Sequence, residues 1–329
     1  MGELQSSADF SATATFPPVA RPRLRVLLAA PRGFCAGVVR AIDAVRDALA
    51  KHGPPVYVRR PIVHNMDVVR TLEAEGAIFV EELDEVPKGM PVVFSAHGVA
   101  PSVAGDAAAR GLTYYDAVCP LVSKVHREVQ RHQRNGRAVI LIGHDGHPEI
   151  EGTLGHVGRD NAYVISSASE VAALPLPRDR PAAYAVQTTY SVDEAQAIVD
   201  ALRARFTDLV APTSSDICYA TTNRQRALRA LAPQSDAVIV VGEDFSSNAC
   251  RLADLARTVC PQVQLIANAG AIDWSRLPPE GTLCITAAAS TPENSVRAVI
   301  DALGTRYTVD VEEALAVEES TVFKRLQLA

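Results

Sequence analysis

The chain contains 329 residues, of which 48% are hydrophobic and only 5% are aromatic. This composition excludes a disordered protein and is sufficient for a large aliphatic core divided into two or three domains. The net charge is −6, and 32 basic residues are spread among 38 acidic ones. No basic stripe is present that could neutralise a run of phosphates, so we expect no nucleic-acid partner.

Residues 1–23 are rich in Ser, Ala, Thr and Pro and lack the charged-then-apolar order of a secretory signal. We predict a disordered tail here. The first apolar run, 26–30, is far shorter than the roughly 20 residues needed to span a bilayer. The sequence therefore predicts a soluble, cytoplasmic protein with no membrane partner.

Apolar runs alternate with amphipathic segments along the chain, which predicts a parallel α/β architecture. A strand at 24–30 comes first. Val38, Ile42 and Val45 then share one face of a predicted helix, and Gly53 follows as its stop signal. Further strands are predicted at 56–58, 92–94, 138–142, 182–186, 237–241 and 284–286.

Six cysteines occur in the chain, and no two of them form the Cys-x-x-Cys pair typical of zinc sites. Three precede similar segments. Cys119 and Cys218 are each followed by a helical stretch and an apolar strand ending in glycine, and both separations are 24 residues, from 119 to 143 and from 218 to 242. The same step from Cys35 reaches Arg59, directly after a strand.

Such self-similarity predicts three repeated α/β units with pseudo-threefold symmetry, whose axis would bring the three thiols together. We place the units at 24–119, 120–212 and 213–305. The strand at 24–30 is expected to complete the third unit, and 306–329 to form a C-terminal tail. Cys250, Cys260 and Cys284 are assigned to packing.

Polar residues follow six of the predicted strands, where ligands bind in parallel sheets, and several of these loops run into helices that favour anions. The alternative for any single Ser or Asn is a helix cap. Four histidines in Gly- or Asn-flanked loops suit hydrogen bonding or proton transfer. They are His64, His97, His144 and His147.

The remaining histidines are set aside. His52, His126 and His132 fall in helical segments, where solvent exposure is expected, and His156 carries no motif. A zinc site of three cysteines and one histidine stays open at this point.

Eight short motifs lie in order along the chain: PRGFCAGV at 31–38, VHN at 63–65, SAHGV at 95–99, CPLV at 119–122, GHDGHPE at 143–149, QTT at 187–189, DICYATTNRQ at 216–225 and SSN at 246–248. Together they strongly resemble the 4-hydroxy-3-methylbut-2-enyl diphosphate reductase family, which carries out the last step of the methylerythritol phosphate pathway. The resemblance covers roughly residues 24–305.

This resemblance implies a trefoil of three α/β units around a central [4Fe-4S] cluster held by Cys35, Cys119 and Cys218. It implies reductive removal of the substrate hydroxyl, with isopentenyl and dimethylallyl diphosphate as products and ferredoxin or flavodoxin, with its reductase, as electron donor. The implied catalytic residues are Glu149, Thr188 and His147. The implied substrate-binding residues are His64, His97, His147, Thr188, Ser246, Ser247, Asn248 and Ser290.

Three residues depart from the family pattern at the expected phosphate end: Phe245 replaces a polar residue, often Asn, Ala249 follows the SSN triplet, and Ala288 replaces a glycine. An added methyl at a glycine position can forbid a positive φ or a close backbone approach, so Ala288 could reshape the pocket. The alternatives are therefore a paralogous reductase of another allylic diphosphate and, more weakly, a non-enzymatic zinc protein or redox sensor.

Overall fold

The computed structural model describes residues 21–328, so the predicted tail at 1–23 lies outside it except for its last three residues. The described residues form three sheets, and every strand pair in them is parallel. The strands are β1 (Arg23–Ala30), β2 (Val56–Arg59), β3 (Ala77–Val80), β4 (Pro91–Phe94), β5 (Thr113–Asp116), β6 (Ala138–Ile142), β7 (Ala162–Ile165), β8 (Ala182–Val186), β9 (Leu209–Val210), β10 (Ala237–Val241), β11 (Val263–Ile266), β12 (Gly281–Ala287) and β13 (Thr308–Leu315). The helices are α1 (Ala36–His52), α2 (Met66–Ala74), α3 (Pro101–Ala109), α4 (Pro120–Arg134), α5 (Pro148–Gly155), α6 (Val192–Arg205), α7 (Tyr219–Leu231), α8 (Ser247–Arg257) and α9 (Glu293–Gly304).

The three sheets share one strand order, which confirms the prediction of three α/β units. The first is β3-β2-β4-β5, the second β7-β6-β8-β9 and the third β11-β10-β12-β1-β13. In the third sheet β1 pairs with β12 and takes the place that β5 and β9 take in the others. Strands such as β6 and β10 are buried along their whole length, which explains their continuous apolar sequences.

Each of the three predicted cysteines stands directly before a helix, and that helix leads into a central strand of a sheet. Cys35 precedes α1 and β2, Cys119 precedes α4 and β6, and Cys218 precedes α7 and β10. The three cysteines therefore stand at equivalent positions relative to the three sheets. Because ligands bind beyond the carboxyl ends of parallel strands, these positions are suited to a shared site.

The segment 306–329 is more than the tail expected from the sequence. Its strand β13 pairs with β1 from Arg23 and Thr308 to Ala30 and Leu315. This edge strand is largely exposed, so it lacks the apolar pattern that marked the central strands. Within 21–328, no helix is long and apolar enough to cross a membrane.

Candidate active site

The three cysteines meet in one cavity of about 100 Å³ that residues from all three units line. Cys35, Cys119 and Cys218 are the N-cap residues of α1, α4 and α7. The positive end of a helix dipole favours a thiolate there. A Cβ on Gly37 would lie 2.8 Å from the Sγ of Cys119 and 3.7 Å from the Sγ of Cys35, so only glycine fits between these sulfurs.

Burial makes the thiolate form of these cysteines costly when no cation is present. Burial raises the pKa of Cys119 to about 12 and that of Cys218 to about 11, and the nearby Cys35 adds to both shifts. A metal centre reverses this effect because it stabilises the thiolate. The donor set therefore fits a group bound by three thiolates.

A three-cysteine, one-histidine zinc site and an iron-sulfur cluster differ in how far apart they hold their ligands. In the described part of the chain, no group of three or more His, Cys, Asp or Glu side chains is arranged to hold a metal ion. Ligands of one zinc ion crowd together because each Zn–S bond is about 2.3 Å. A cluster of several irons separates its thiolates further than a single ion does.

Glu149 and Thr188 form a buried pair on the cavity wall. Glu149 lies in the first turn of α5, and Thr188 follows β8. The amide of Thr188 donates to Oε1 of Glu149 at 2.6 Å, and the Thr188 hydroxyl donates to Oε2 at 2.7 Å. Burial raises the pKa of Glu149 to about 7, although both hydrogen bonds oppose the shift. The carboxyl can therefore hold a proton near neutral pH.

Three histidines from separate loops cluster beside the cavity. Nε2 of His64 lies 3.3 Å from Nε2 of His147, and the rings of His64 and His97 are 4.1 Å apart. Ser95 Oγ lies 3.2 Å from Nδ1 of His97. Burial lowers the pKa of His64 to about 4 and that of His147 to about 3, and it lowers the pKa of His97 well below its usual value. These imidazoles are therefore neutral until an anion favours their protonation.

The third unit supplies hydroxyl and amide groups to the same cavity. Ser246 caps α8, and Ser290 donates its hydroxyl to the carbonyl of His64 at 3.0 Å. Asn248 accepts the amide of Ala289 at 2.9 Å. All three predicted residues line the cavity. Ser247 does not, because its hydroxyl faces Gln187, which donates to it at 3.3 Å.

Two further predicted histidines stand outside the lining of the cavity. His147 lies behind His64, and His144 stacks on Tyr190 with ring centres 5.0 Å apart. The exposure expected for His126 and His132 is wrong, since both are buried. They belong to the face of α4 that packs inward, and His126 stacks on His156 at 4.1 Å.

The departures from the family pattern leave Ser290 in place. Ala249 and Ala288 are fully buried and lie against Gly242. A Cβ added to Gly242 would lie 2.8 Å from the Cβ of Ala249 and 3.1 Å from the Cβ of Ala288. Among residues 21–328, the only non-glycine with a positive φ is Arg60, so Ala288 avoids the conformation that alanine disfavours. Phe245 is 47% exposed and turns its ring edge to His64.

Sequence reasoning missed several residues that line the cavity, including Tyr219, Thr221 and Phe323. Tyr219 accepts the amide of Ala36 at 3.2 Å, and the Thr221 hydroxyl lies 3.2 Å from the Sγ of Cys218. Both stand in the 216–225 motif, which was the signal that could have found them. Phe323 lies in the segment taken as a tail and carries no sequence signal.

Comparisons with known proteins show the family to which this chain is similar. A family described as "LytB protein" matches residues 26–304. The 4-hydroxy-3-methylbut-2-enyl diphosphate reductase of Methylocella silvestris is 49% identical over 305 residues, which is 92% of this chain and 96% of that protein. The enzyme of the same name from Gluconobacter oxydans is 48% identical over 326 residues, 98% of this chain and 97% of that protein.

Two solved structures share the fold. The E-1-hydroxy-2-methyl-but-2-enyl-4-diphosphate reductase from Plasmodium falciparum matches with a TM-score of 0.87 and 37% identity, over 93% of this chain and 96% of that one. A second structure, of an (E)-4-hydroxy-3-methyl-but-2-enyl diphosphate reductase, matches with a TM-score of 0.61 and 28% identity, over 85% of this chain and 99% of that one.

Proposed function

Because the chain belongs to the LytB protein family, we propose that it reduces (E)-4-hydroxy-3-methylbut-2-enyl diphosphate to isopentenyl and dimethylallyl diphosphate, the last step of the methylerythritol phosphate pathway. One observation carries this proposal. Three thiols on helix N-termini occupy a cavity that buried imidazoles, hydroxyls and a proton-holding carboxyl also line or adjoin. The reaction consumes two electrons and two protons and releases water.

Cys35, Cys119 and Cys218 would hold the [4Fe-4S] cluster. When bound, such a cluster supplies electrons one at a time, and the iron that no cysteine holds supplies a Lewis acid for the substrate hydroxyl. The electrons would come from ferredoxin or flavodoxin with its reductase. The equivalent placement of the three thiols, each before a helix and all on one cavity, supports this assignment.

The histidine and serine side chains would bind the diphosphate. His64, His97 and Ser290 line the cavity, and His147 backs His64. The neutral imidazoles would take up protons beside the phosphate charges, which converts their hydrogen bonds into stronger, charge-assisted ones. Asn248 holds the 289 amide in the loop that carries Ser290, and Ser246 lines the same wall.

Glu149 would supply the proton that lets the hydroxyl leave as water. A carboxyl with a pKa near the working pH is suited to general acid catalysis. The Thr188 hydroxyl bonds to Glu149 and lines the cavity, so it can orient the carboxyl and pass the proton onward. Apolar neighbours in the same wall, including Val38 and Ala96, exclude water from the reaction.

Anaerobic purification followed by visible absorption, iron and sulfide analysis and turnover with a chemically reduced donor tests this function. We expect a brown protein with a full [4Fe-4S] complement that forms both five-carbon products. A colourless protein containing zinc would refute the cluster. A brown protein that turns over a different allylic diphosphate better would instead support a paralogous reductase.

A further inference from the structure

The segment 316–328, here called the C-terminal strap, connects the third unit to the first. It follows β13 and contains no regular secondary structure. At its start, the amide of Ala316 donates to the carbonyl of Ala30 at 2.8 Å. At its end, Leu326 and Leu328 pack against the apolar core of the first unit, which includes residues of α1.

Both ends of the strap are held by charged groups. Glu319 accepts hydrogen bonds from Arg224, which is fully buried, at 3.0 Å and from Asn223 at 3.1 Å. Arg224 also donates to the carbonyl of Gly33 in the loop before Cys35 at 2.7 Å. A fully buried guanidinium without its carboxylate would be costly, so this end is firmly attached to the third unit.

The first unit holds the other end through side chains of α1. Arg40 donates to the carbonyl of Lys324 at 3.1 Å. Arg325 lies 3.3 Å from the carboxylate of Asp47 and 3.4 Å from that of Asp43. The strap therefore spans from α7, which Cys218 caps, to α1, which Cys35 caps.

Phe323 is the residue between these anchors that reaches the cavity. It lines the same cavity as the three cysteines, whereas its neighbour Val322 is 87% exposed. An extended chain places successive side chains on opposite sides, so the strap can turn one large apolar ring inward. This placement puts the ring in the wall of the cavity that the three cysteines also line.

We propose that Phe323 is a specificity residue that forms the outer wall of the substrate cavity, where it packs against the hydrocarbon part of an allylic diphosphate and excludes water and dioxygen from the cysteines. The inference rests on the proposed function and deepens it. Removal of the ring would open the wall on the side of the strap. Allylic diphosphates with longer hydrocarbon chains would then fit, and the cluster would react faster with water and dioxygen.

Phe323→Ala, Phe323→Leu and the matched control Val322→Ala test this assignment in the anaerobically purified holoenzyme. The measurements are the loss of visible absorption in air-saturated buffer, KM and kcat, and thermal unfolding. For Phe323→Ala we expect absorption to be lost about tenfold faster and KM to rise about tenfold, equivalent to about 1.4 kcal/mol. For Phe323→Leu, both the rate of absorption loss and KM should lie between those of the wild type and those of Phe323→Ala. For Val322→Ala, both should match the wild type.

The proposal is overturned if Phe323→Ala and Val322→Ala have the same KM and the same rate of absorption loss. If the alanine variant does not fold, an unchanged rate and KM in Phe323→Leu overturn it equally. Wild-type protein without visible absorption would refute the proposed function and this inference together. Active wild-type protein with unaffected Phe323 variants would refute this inference alone.

Discussion

The cysteine residues and the histidine and serine residues of the cavity are built in different ways. The cysteines occupy equivalent positions, after β1, β5 and β9, and each cysteine caps the helix that follows. The polar residues stand at equivalent positions but differ in type: His64, His147 and Ser246 each lie five residues after β2, β6 and β10, and His97, Thr188 and Ser290 follow β4, β8 and β12. Three repeated positions can hold one compact bound group with the same residue type on three sides. An elongated substrate needs a different contact at each point along its length.

The two sets of residues should also respond differently to mutation. The three thiols share one bound group, so loss of one ligand affects the others. The polar residues are already joined by their own contacts, including Ser290 to the His64 carbonyl and His64 to His147. Loss of one of these groups leaves the rest in place, so graded effects on substrate binding are expected.

Replacement of one of the three cysteines that would hold the cluster should have the largest effect on activity. Cys35→Ser, Cys119→Ser and Cys218→Ser should each lose most of the cluster and of the activity, because a hydroxyl is a poor iron ligand compared with a thiolate. Iron content and visible absorption measure this directly. Cys260→Ser and Cys284→Ser are buried controls outside the cavity that should keep the cluster. Full iron content in any of these three variants would contradict the assignment of that cysteine as a cluster ligand.

Glu149→Gln should separate proton delivery from cluster binding. The amide keeps the shape of the side chain but cannot deliver a proton, so we expect about a 100-fold loss of kcat with normal iron content. Glu149 must be protonated to act as an acid. With its pKa raised to about 7, wild-type turnover should fall as the pH rises through about 7. Survival of this pH dependence in the variant would assign it to another group.

Ser290→Ala should weaken substrate binding and leave the cluster intact. Loss of one hydrogen bond to a charged group raises KM about tenfold or more. Ser247→Ala is the matched comparison, because Ser247 faces Gln187 and does not line the cavity. It should raise KM less. Equal effects of the two substitutions would show that the binding roles implied by the family resemblance do not distinguish Ser290 from Ser247.

Phe245→Asn should have the smallest effect, although it restores the residue type expected in the family. Phe245 is 47% exposed and meets His64 only at the ring edge, 5.9 Å between ring centres. Exposed substitutions change free energies by about 0.5 kcal/mol or less, so KM should change by less than about threefold. A larger change in KM would place Phe245 in substrate selection and revive the paralogue hypothesis.

Much of the fold was predictable because the central strands are buried on both faces. Their continuous apolar sequences at 138–142 and 237–241 coincide with β6 and β10. The helix with Val38 and Val45 on one face ends at Gly53, as predicted, with a φ of 73°. The exposed edge strand β13 was missed, since pairing with β1 supplies its stability and its own residues carry little pattern.

The sequence by itself indicated the three cysteines, the repeat that relates them and the motif around Glu149, because these residues recur at regular spacing or in ordered local patterns. Only the tertiary structure decided which residues close the cavity. Phe323 reaches it through a segment that crosses between units, and the pair of Arg224 and Glu319 joins positions 95 residues apart. Such contacts depend on chain crossings and burial, which local spacing does not encode.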